Sequence, residues 1–155
     1  MKKIITRVLI CLIICVTIGL TGCGNGFAKQ EYDATEKIVQ IEDRYAKENS
    51  IFNSMEDGCT LTVSKFDGRQ TLWKKTLEEN AELEIQLNLN ISSGNAKVVY
   101  IDCNNNIIVL IECSQNNSNK QTATKTIHLT SGLNRLKIVG YDCKEIDLKI
   151  LFVEP

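Results

Sequence analysis

His128 is the single histidine of the chain, and a Ser-His-Asp or Cys-His site would need it as the general base. It falls in Thr126-Ile127-His128-Leu129-Thr130, where alternation sets Ile127 and Leu129 on one side of a strand and His128 on the other. That is the position of a solvated histidine on a sheet face, and no acid–base pair with a nucleophile can be assembled around it. One histidine also excludes a histidine-rich zinc site, and Cys59, Cys103, Cys113 and Cys143 lack the short knuckle spacing of a four-cysteine site. Asp102-Cys103-Asn104-Asn105-Asn106 offers oxygens at the first, third and fifth positions of a calcium loop. The pattern then fails, with Ile107 where the turn needs glycine and Cys113 where the bidentate glutamate belongs. These residues read instead as a hairpin turn, because asparagine tolerates positive φ. No catalytic residue, metal or cofactor is expected, and the chain does not read as an enzyme.

Binding chemistry has more to work with. Trp73, Tyr100 and Tyr141 are aromatics that could stack on a sugar or a partner. In Thr71-Leu72-Trp73-Lys74-Lys75, strand geometry sends either Leu72 or Trp73 outward. An exposed Trp73 would mark a binding surface, whereas a core Trp73 leaves Leu72 as an edge contact. Arg135 and Lys137, beside Tyr141 on one face, form a second patch that would otherwise be a solvated sheet face. Trp73, Tyr141 and Arg135 are therefore the candidate binding residues, and the polar stretch Ser114 to Gln121 is the candidate loop for contacting another protein.

These residues must be positioned by strands. Ala81, Leu83, Ile85, Leu87, Leu89 and Ile91 alternate with Glu82, Glu84, Gln86, Asn88 and Asn90, which predicts a half-buried strand with a polar outer face. Before it, Thr60 to Val63 and Arg69 to Leu77 read as strands around an Asp67-Gly68 turn. After it, Ala96 to Cys103 and Asn106 to Cys113 form a hairpin around Asn104-Asn105. Thr122 to Thr130 and Leu133 to Tyr141 flank Ser131-Gly132, and Glu145 to Val153 closes the set. About eight strands at this rhythm predict an all-β antiparallel sandwich over residues 58–155, and the only proline, Pro155, interrupts none of them. The arrangement resembles the small jelly-roll and immunoglobulin-like sandwiches of bacterial surface proteins, some carbohydrate-binding modules among them. In front of it, Ala34, Ile38, Ile41 and Tyr45 recur at helical spacing within the glycine- and proline-free stretch Ala28 to Asn49. Residues 23–57 are expected to form a tether, Gly24-Asn25-Gly26, and one thin amphipathic helix acting as a stalk.

The first 23 residues carry the address. Lys2, Lys3 and Arg7 give a basic start, and an apolar run to Leu20 follows it. The uninterrupted part, Val8 to Val16, is too short for a bilayer core that needs about 20 apolar residues. Leu20-Thr21-Gly22-Cys23 closes the segment and resembles the lipobox of bacterial lipoprotein signal peptides. The resemblance implies cleavage before Cys23 and a diacylglycerol on its sulfur, so residues 1–22 leave and the chain is held at the outer face of a cell membrane. Two acyl chains give the stable anchoring that one does not.

Removing 22 of the 155 residues leaves 133, enough for one domain with a core. The remainder holds 15 basic and 19 acidic residues, a net charge of −4, with no basic stripe for nucleic acid. Four cysteines besides Cys23 remain, and they permit two disulfides in three connectivities, or four free thiols. A two-residue turn at Asn104-Asn105 would put Cys113 opposite Ala96, about 23 Å along the ladder from the partner of Cys103 at about 3.3 Å per residue. Those two cysteines cannot then bridge. The expected role is non-catalytic binding of an unknown protein or glycan, with two alternatives. One is a carbohydrate-binding module acting on cell-wall glycan, and the other an accessory or inhibitor of a surface enzyme.

Overall fold

The computed structural model describes residues 26–114 and 117–153. The lipobox-like motif, Cys23 and part of the Ser114–Gln121 loop lie outside the described residues. Two short helices, α1 (Gly26–Glu31) and α2 (Thr35–Ile38), precede seven strands. These are β1 (Arg44–Met55), β2 (Gly58–Leu77), β3 (Ala81–Asn90), β4 (Ser93–Ile101), β5 (Ile107–Cys113), β6 (Lys120–Leu129) and β7 (Gly132–Val153). Every ladder is antiparallel, so the chain is the β-sandwich its strand rhythm predicts. None of its described helices is long and apolar enough to cross a membrane.

The sandwich is built on one long pair. β2 runs beside β7 from Gly58 opposite Leu151 to Leu77 opposite Gly132. The other edge of β7 is shared: its first half pairs with β4 and its second half with β3. One layer is therefore β5-β4-β7-β2 and the other β6-β3-β7-β2-β1, and β2 and β7 bend from one layer into the other. The bend has a local cause. The β2–β7 register breaks between Phe66 and Gly68, and Gly68 holds φ at +115°. Across the pair, Asp142 also has positive φ, and its N–H donates to the Asp67 carboxylate at 2.7 Å.

Asp67-Gly68 is thus a bend inside one strand and not the turn between two that the sequence suggests. The same holds for the gap between Tyr141 and Glu145. A dipeptide with the right φ preferences can bend a strand or reverse it, and pairing with β7 on both sides decides for bending. The eight expected segments become six strands, and β1 is the seventh.

The single helix expected over Ala28 to Asn49 is not formed. The chain makes helices of six and four residues and becomes a strand at Arg44. The proposed apolar stripe does not share a face, since Ile38 is 3% exposed and Ile41 66%. Pairing of Arg44–Met55 with the free edge of β2 wins over a helix with so little to bury. The sheet accordingly starts at Arg44 rather than at Gly58.

Between the layers lies the core. Ile85, Leu87, Leu89 and Ile91 point into it while Glu84, Gln86, Asn88 and Asn90 are exposed, as their alternation requires. Leu61, Phe66, Ile146 and Leu148 join from β2 and β7, and Val98, Tyr100, Leu136 and Ile138 face them from the other layer. Tyr100 spans the gap, its hydroxyl donating to Asn134 Oδ1 at 2.5 Å and lying 3.1 Å from the His128 carbonyl. A smaller cluster lies outside the sandwich, where Tyr32 and Ile38 of the N-terminal segment cover Val99, Ile101 and Val139.

All four described cysteines are free thiols. Cys113 lies opposite Ala96, and the turn between β4 and β5 is longer than two residues. It runs from Asp102 to Asn106, and an extra residue at Leu110 restores the register.

Candidate functional site

The outer face of β6-β3-β7-β2-β1 has no element packed over it among the described residues, and its side chains stand in register. Asn88 of β3 is opposite Thr122 of β6 on one side and Lys149 of β7 on the other. Lys149 faces Thr60 of β2, and Thr60 faces Asn53 of β1, whose amide donates to it at 3.4 Å. One row of amide, hydroxyl and ammonium groups therefore crosses all five strands. The neighbouring rows place Gln86 beside Thr124, and Asn90 beside Asp147. Gln86, Asn88, Thr122, Thr124, Lys149 and Leu151 line a shallow depression of about 370 Å³ on this face. Amides and hydroxyls both donate and accept, so the face can bond a ligand whose groups do the same.

The outer face of β5-β4-β7-β2 is different in kind. Lys97, Arg69, Arg135 and Lys137 project from it and are buried under residues 26–43. Arg69 pairs with Glu31 and with Gln40 Oε1 at 2.5 Å, and Lys97 pairs with Asp33 at 2.7 Å. Arg135 donates to the Val39 carbonyl at 2.7 Å and to Asn105 Oδ1 at 2.8 Å. Lys137, with no exposed side-chain surface, donates to the Gln40 carbonyl at 2.5 Å and to Asp43 at 3.1 Å. Burial lowers the Lys137 ammonium below its ordinary range, and the Asp43 carboxylate opposes that fall. Arg135 is lowered by burial as well. Tyr32 donates its hydroxyl to Glu112 at 2.8 Å, and burial with that carboxylate raises the phenol far above its usual value.

Of the candidate binding residues, Arg135 and Tyr141 lie on this covered face, with Tyr141 edge-on to Tyr32 at 5.0 Å between ring centres. Lys137 is with them, so the expected solvated patch is a buried one. Trp73 lies elsewhere, and the choice between Leu72 and Trp73 dissolves. Thr71 is opposite Lys137 and Trp73 opposite Leu136, which makes Leu72 the extra residue of a bulge. Both side chains turn inward: Leu72 is buried, and half-buried Trp73 packs edge-on against Phe152 at 5.5 Å. Trp73 and Arg135 do share the rim of an open depression of about 730 Å³ that also involves Ile41 and Leu133.

The remaining chemical residues are occupied in structural ways. His128 is exposed on β6, in register with Glu82, and the two make an ion pair at 3.0 Å when the imidazole is protonated. Asp102 caps the β4–β5 turn, accepting from the N–H groups of Asn104 and Asn106 at 2.8 Å each and from the Asn106 amide at 2.7 Å. Burial would raise its carboxyl, and these bonds lower it further than that. Among the described residues no group of three acidic, histidine or cysteine side chains is placed to hold a metal. The sequence reading missed Glu31, Asp33, Gln40 and Asp43 as partners of the cations. The acidic character of the stretch before β1 was the available signal, and a helix assignment hid it.

No protein-family model and no curated protein matches the chain. Solved structures with a likeness to it include an exo-β-1,3-galactanase from Phanerochaete chrysosporium with β-1,3-galactotriose. It is 15% identical at a TM-score of 0.40, over 72% of this chain and 27% of that one. The chain thus spans about a quarter of the galactanase's length. A carbohydrate-binding module from Cellvibrio mixtus lichenase 5A, solved with cellotriose, is 10% identical at a TM-score of 0.38, over 71% of this chain and 90% of that one. A family 35 carbohydrate-binding module from an environmental isolate is 19% identical at 0.36, over 70% and 77%. With likenesses of this size, the fold rests on the strand pairing described above.

Proposed function

We propose that this chain is a non-catalytic glycan-binding domain held at the outer face of a membrane through Cys23. Its glycan surface is the open face of β6-β3-β7-β2-β1. The observation that carries this reading is the in-register row Thr122, Asn88, Lys149, Thr60 and Asn53, with the depression beside it. Sugar hydroxyls donate and accept at once, and this face offers both functions across its whole width. Rigid strands fix the groups, so little ordering cost falls on the protein when a ligand binds.

Each direct polar contact of this kind contributes about 1 kcal/mol, so removing two should weaken binding roughly thirty-fold. The test is sedimentation of the chain with purified cell-wall glycan, comparing the native sequence with the Gln86→Ala/Asn88→Ala pair. Both residues are exposed, and the fold should be unchanged. Equal retention of the two proteins, or retention of neither, overturns the glycan reading. The anchor is tested separately by metabolic labelling with a fatty-acid analogue: Cys23→Ser should abolish the label, and a labelled variant would refute it.

A further inference from the structure

We propose that the outer face of β5-β4-β7-β2 is a docking surface for an acidic peptide, and that residues 26–43 are its resident occupant held in cis. This surface is separate from the glycan face, and the inference does not rest on that reading.

The contacts have the form of peptide recognition. Three carboxylates meet three cations: Glu31 on Arg69, Asp33 on Lys97 and Asp43 on Lys137. Two main-chain carbonyls, of Val39 and Gln40, accept from Arg135 and Lys137. Two apolar anchors six residues apart, Tyr32 and Ile38, fill the space over Val99, Ile101 and Val139. Carboxylates, carbonyls and spaced anchors are what an acidic peptide supplies.

The occupant is also separable. The ladder registers begin at Arg44, so residues 26–43 share no strand pairing with the sheet. Apart from the Thr71 N–H, which donates to the Asp43 carboxylate at 2.9 Å, lifting them away breaks contacts made through the side chains of the face. The connection to β1 passes through Ile41, whose side chain is 66% exposed between the bonded residues Gln40 and Asp43. Asp33 holds Lys97 from an exposed position, its side chain 86% accessible against 8% for the lysine.

The fit is incomplete in a way that points outward. Arg69 Nε and Arg135 Nε are buried without a hydrogen-bond partner. Two donors of the recognition face are left over by the resident segment, and a peptide with further acceptors would use them. A face of four cations bared by release of the segment attracts an acidic chain by charge as well.

The probe is a fluorescent synthetic peptide of residues 26–43, added to the full chain in detergent. The acceptors are the native chain and a chain carrying Glu31→Gln and Asp33→Asn, whose own segment is weakened. The variant should bind the peptide at least about ten-fold more tightly than the native chain, because the competing occupant has lost its hold. A peptide carrying Glu31→Gln, Asp33→Asn and Asp43→Asn should bind the variant at least about ten-fold more weakly than the native peptide.

Hydrogen exchange of the native chain is the second measurement and decides the matter should the variant not fold. Excess peptide should speed exchange in residues 26–43 and leave β3 and β7 unchanged. Unchanged exchange in the segment, or a folded variant that binds the peptide no better than the native chain, overturns the proposal. So does release of the segment by polygalacturonate but not by the peptide, which would assign the face to acidic glycans.

Discussion

Tyr100→Phe removes one buried oxygen from beside the β6–β7 turn, and the structure sets the size of the effect. Tyr100 is 2% exposed, and its hydroxyl donates to Asn134 Oδ1 at 2.5 Å beside the His128 carbonyl. After substitution Asn134 Oδ1 keeps the Thr130 N–H at 3.1 Å, so no acceptor is stripped bare. The loss is then one short buried bond plus a hydroxyl-sized void, about 1–2 kcal/mol. Tyr100→Leu removes the ring as well and should cost about 3–4 kcal/mol. For a chain of this length the phenylalanine variant should melt about 2–8 °C lower. Urea unfolding followed by circular dichroism measures both variants, with an unchanged denaturant slope expected. A phenylalanine variant within about 0.3 kcal/mol of the parent, or as unstable as the leucine variant, would refute the reasoning. Either result would mean that the bond to Asn134 is not what the hydroxyl contributes.

Gly68→Ala should destabilise by about 3 kcal/mol or more, because a Cβ there would sit 2.7 Å from Tyr45 Cα and against the Arg44 carbonyl at a φ of +115°; thermal unfolding reads it, and a native-like melting temperature would contradict the bend described. Alkylation at pH 8 followed by peptide mapping should modify exposed Cys103 and spare buried Cys59, Cys113 and Cys143, with rapid labelling of all four counting against the core. Burial pushes the Cys59 and Cys113 thiols up to about 11 and Cys143 up to about 12, against 9.0 for an ordinary thiol. Above pH 9 only the unfolded chain loses these protons, so stability should be full below pH 9 and fall as pH rises toward 12. Replacing Cys143 by alanine should flatten that fall, and a variant with the same alkaline slope would remove Cys143 as its cause.

How much of this was legible in the sequence depended on whether a feature repeats. The alternation from Ala81 to Ile91 has period two, and its inward and outward sets fall where it places them. Ala96 does face Cys113, but the two-residue turn expected to put it there is not formed: a longer turn and an extra residue at Leu110 offset each other. Bulges were not readable, because one inserted residue looks the same as a change of face. Leu72 is the example: its insertion turns both it and Trp73 inward, where strict alternation would expose one of them. The covered cation face was hidden for another reason. Arg135 meets Val39 from 96 residues away, and Lys97 meets Asp33 from 64, and no local period reports such distances. Arg135, Lys137 and Tyr141 were correctly grouped on one face, but what lies over that face had to come from the fold.

The covering segment has a mechanical meaning. A chain pulled from its N-terminal end loads residues 26–43 first, and they are attached by side-chain contacts that fail one at a time. β1 follows in the line of force, a border strand that can unzip from β2 pair by pair. β2 and β7 come last, joined along nearly their whole length. Tension is therefore relieved in stages, and the first stage uncovers Val99, Ile101 and Val139 while leaving the core between the layers closed. Eighteen residues drawn straight, at about 3.3–3.6 Å each, release roughly 60 Å of line. A domain tethered at that end can stand close to its support or some 60 Å away from it with both layers intact.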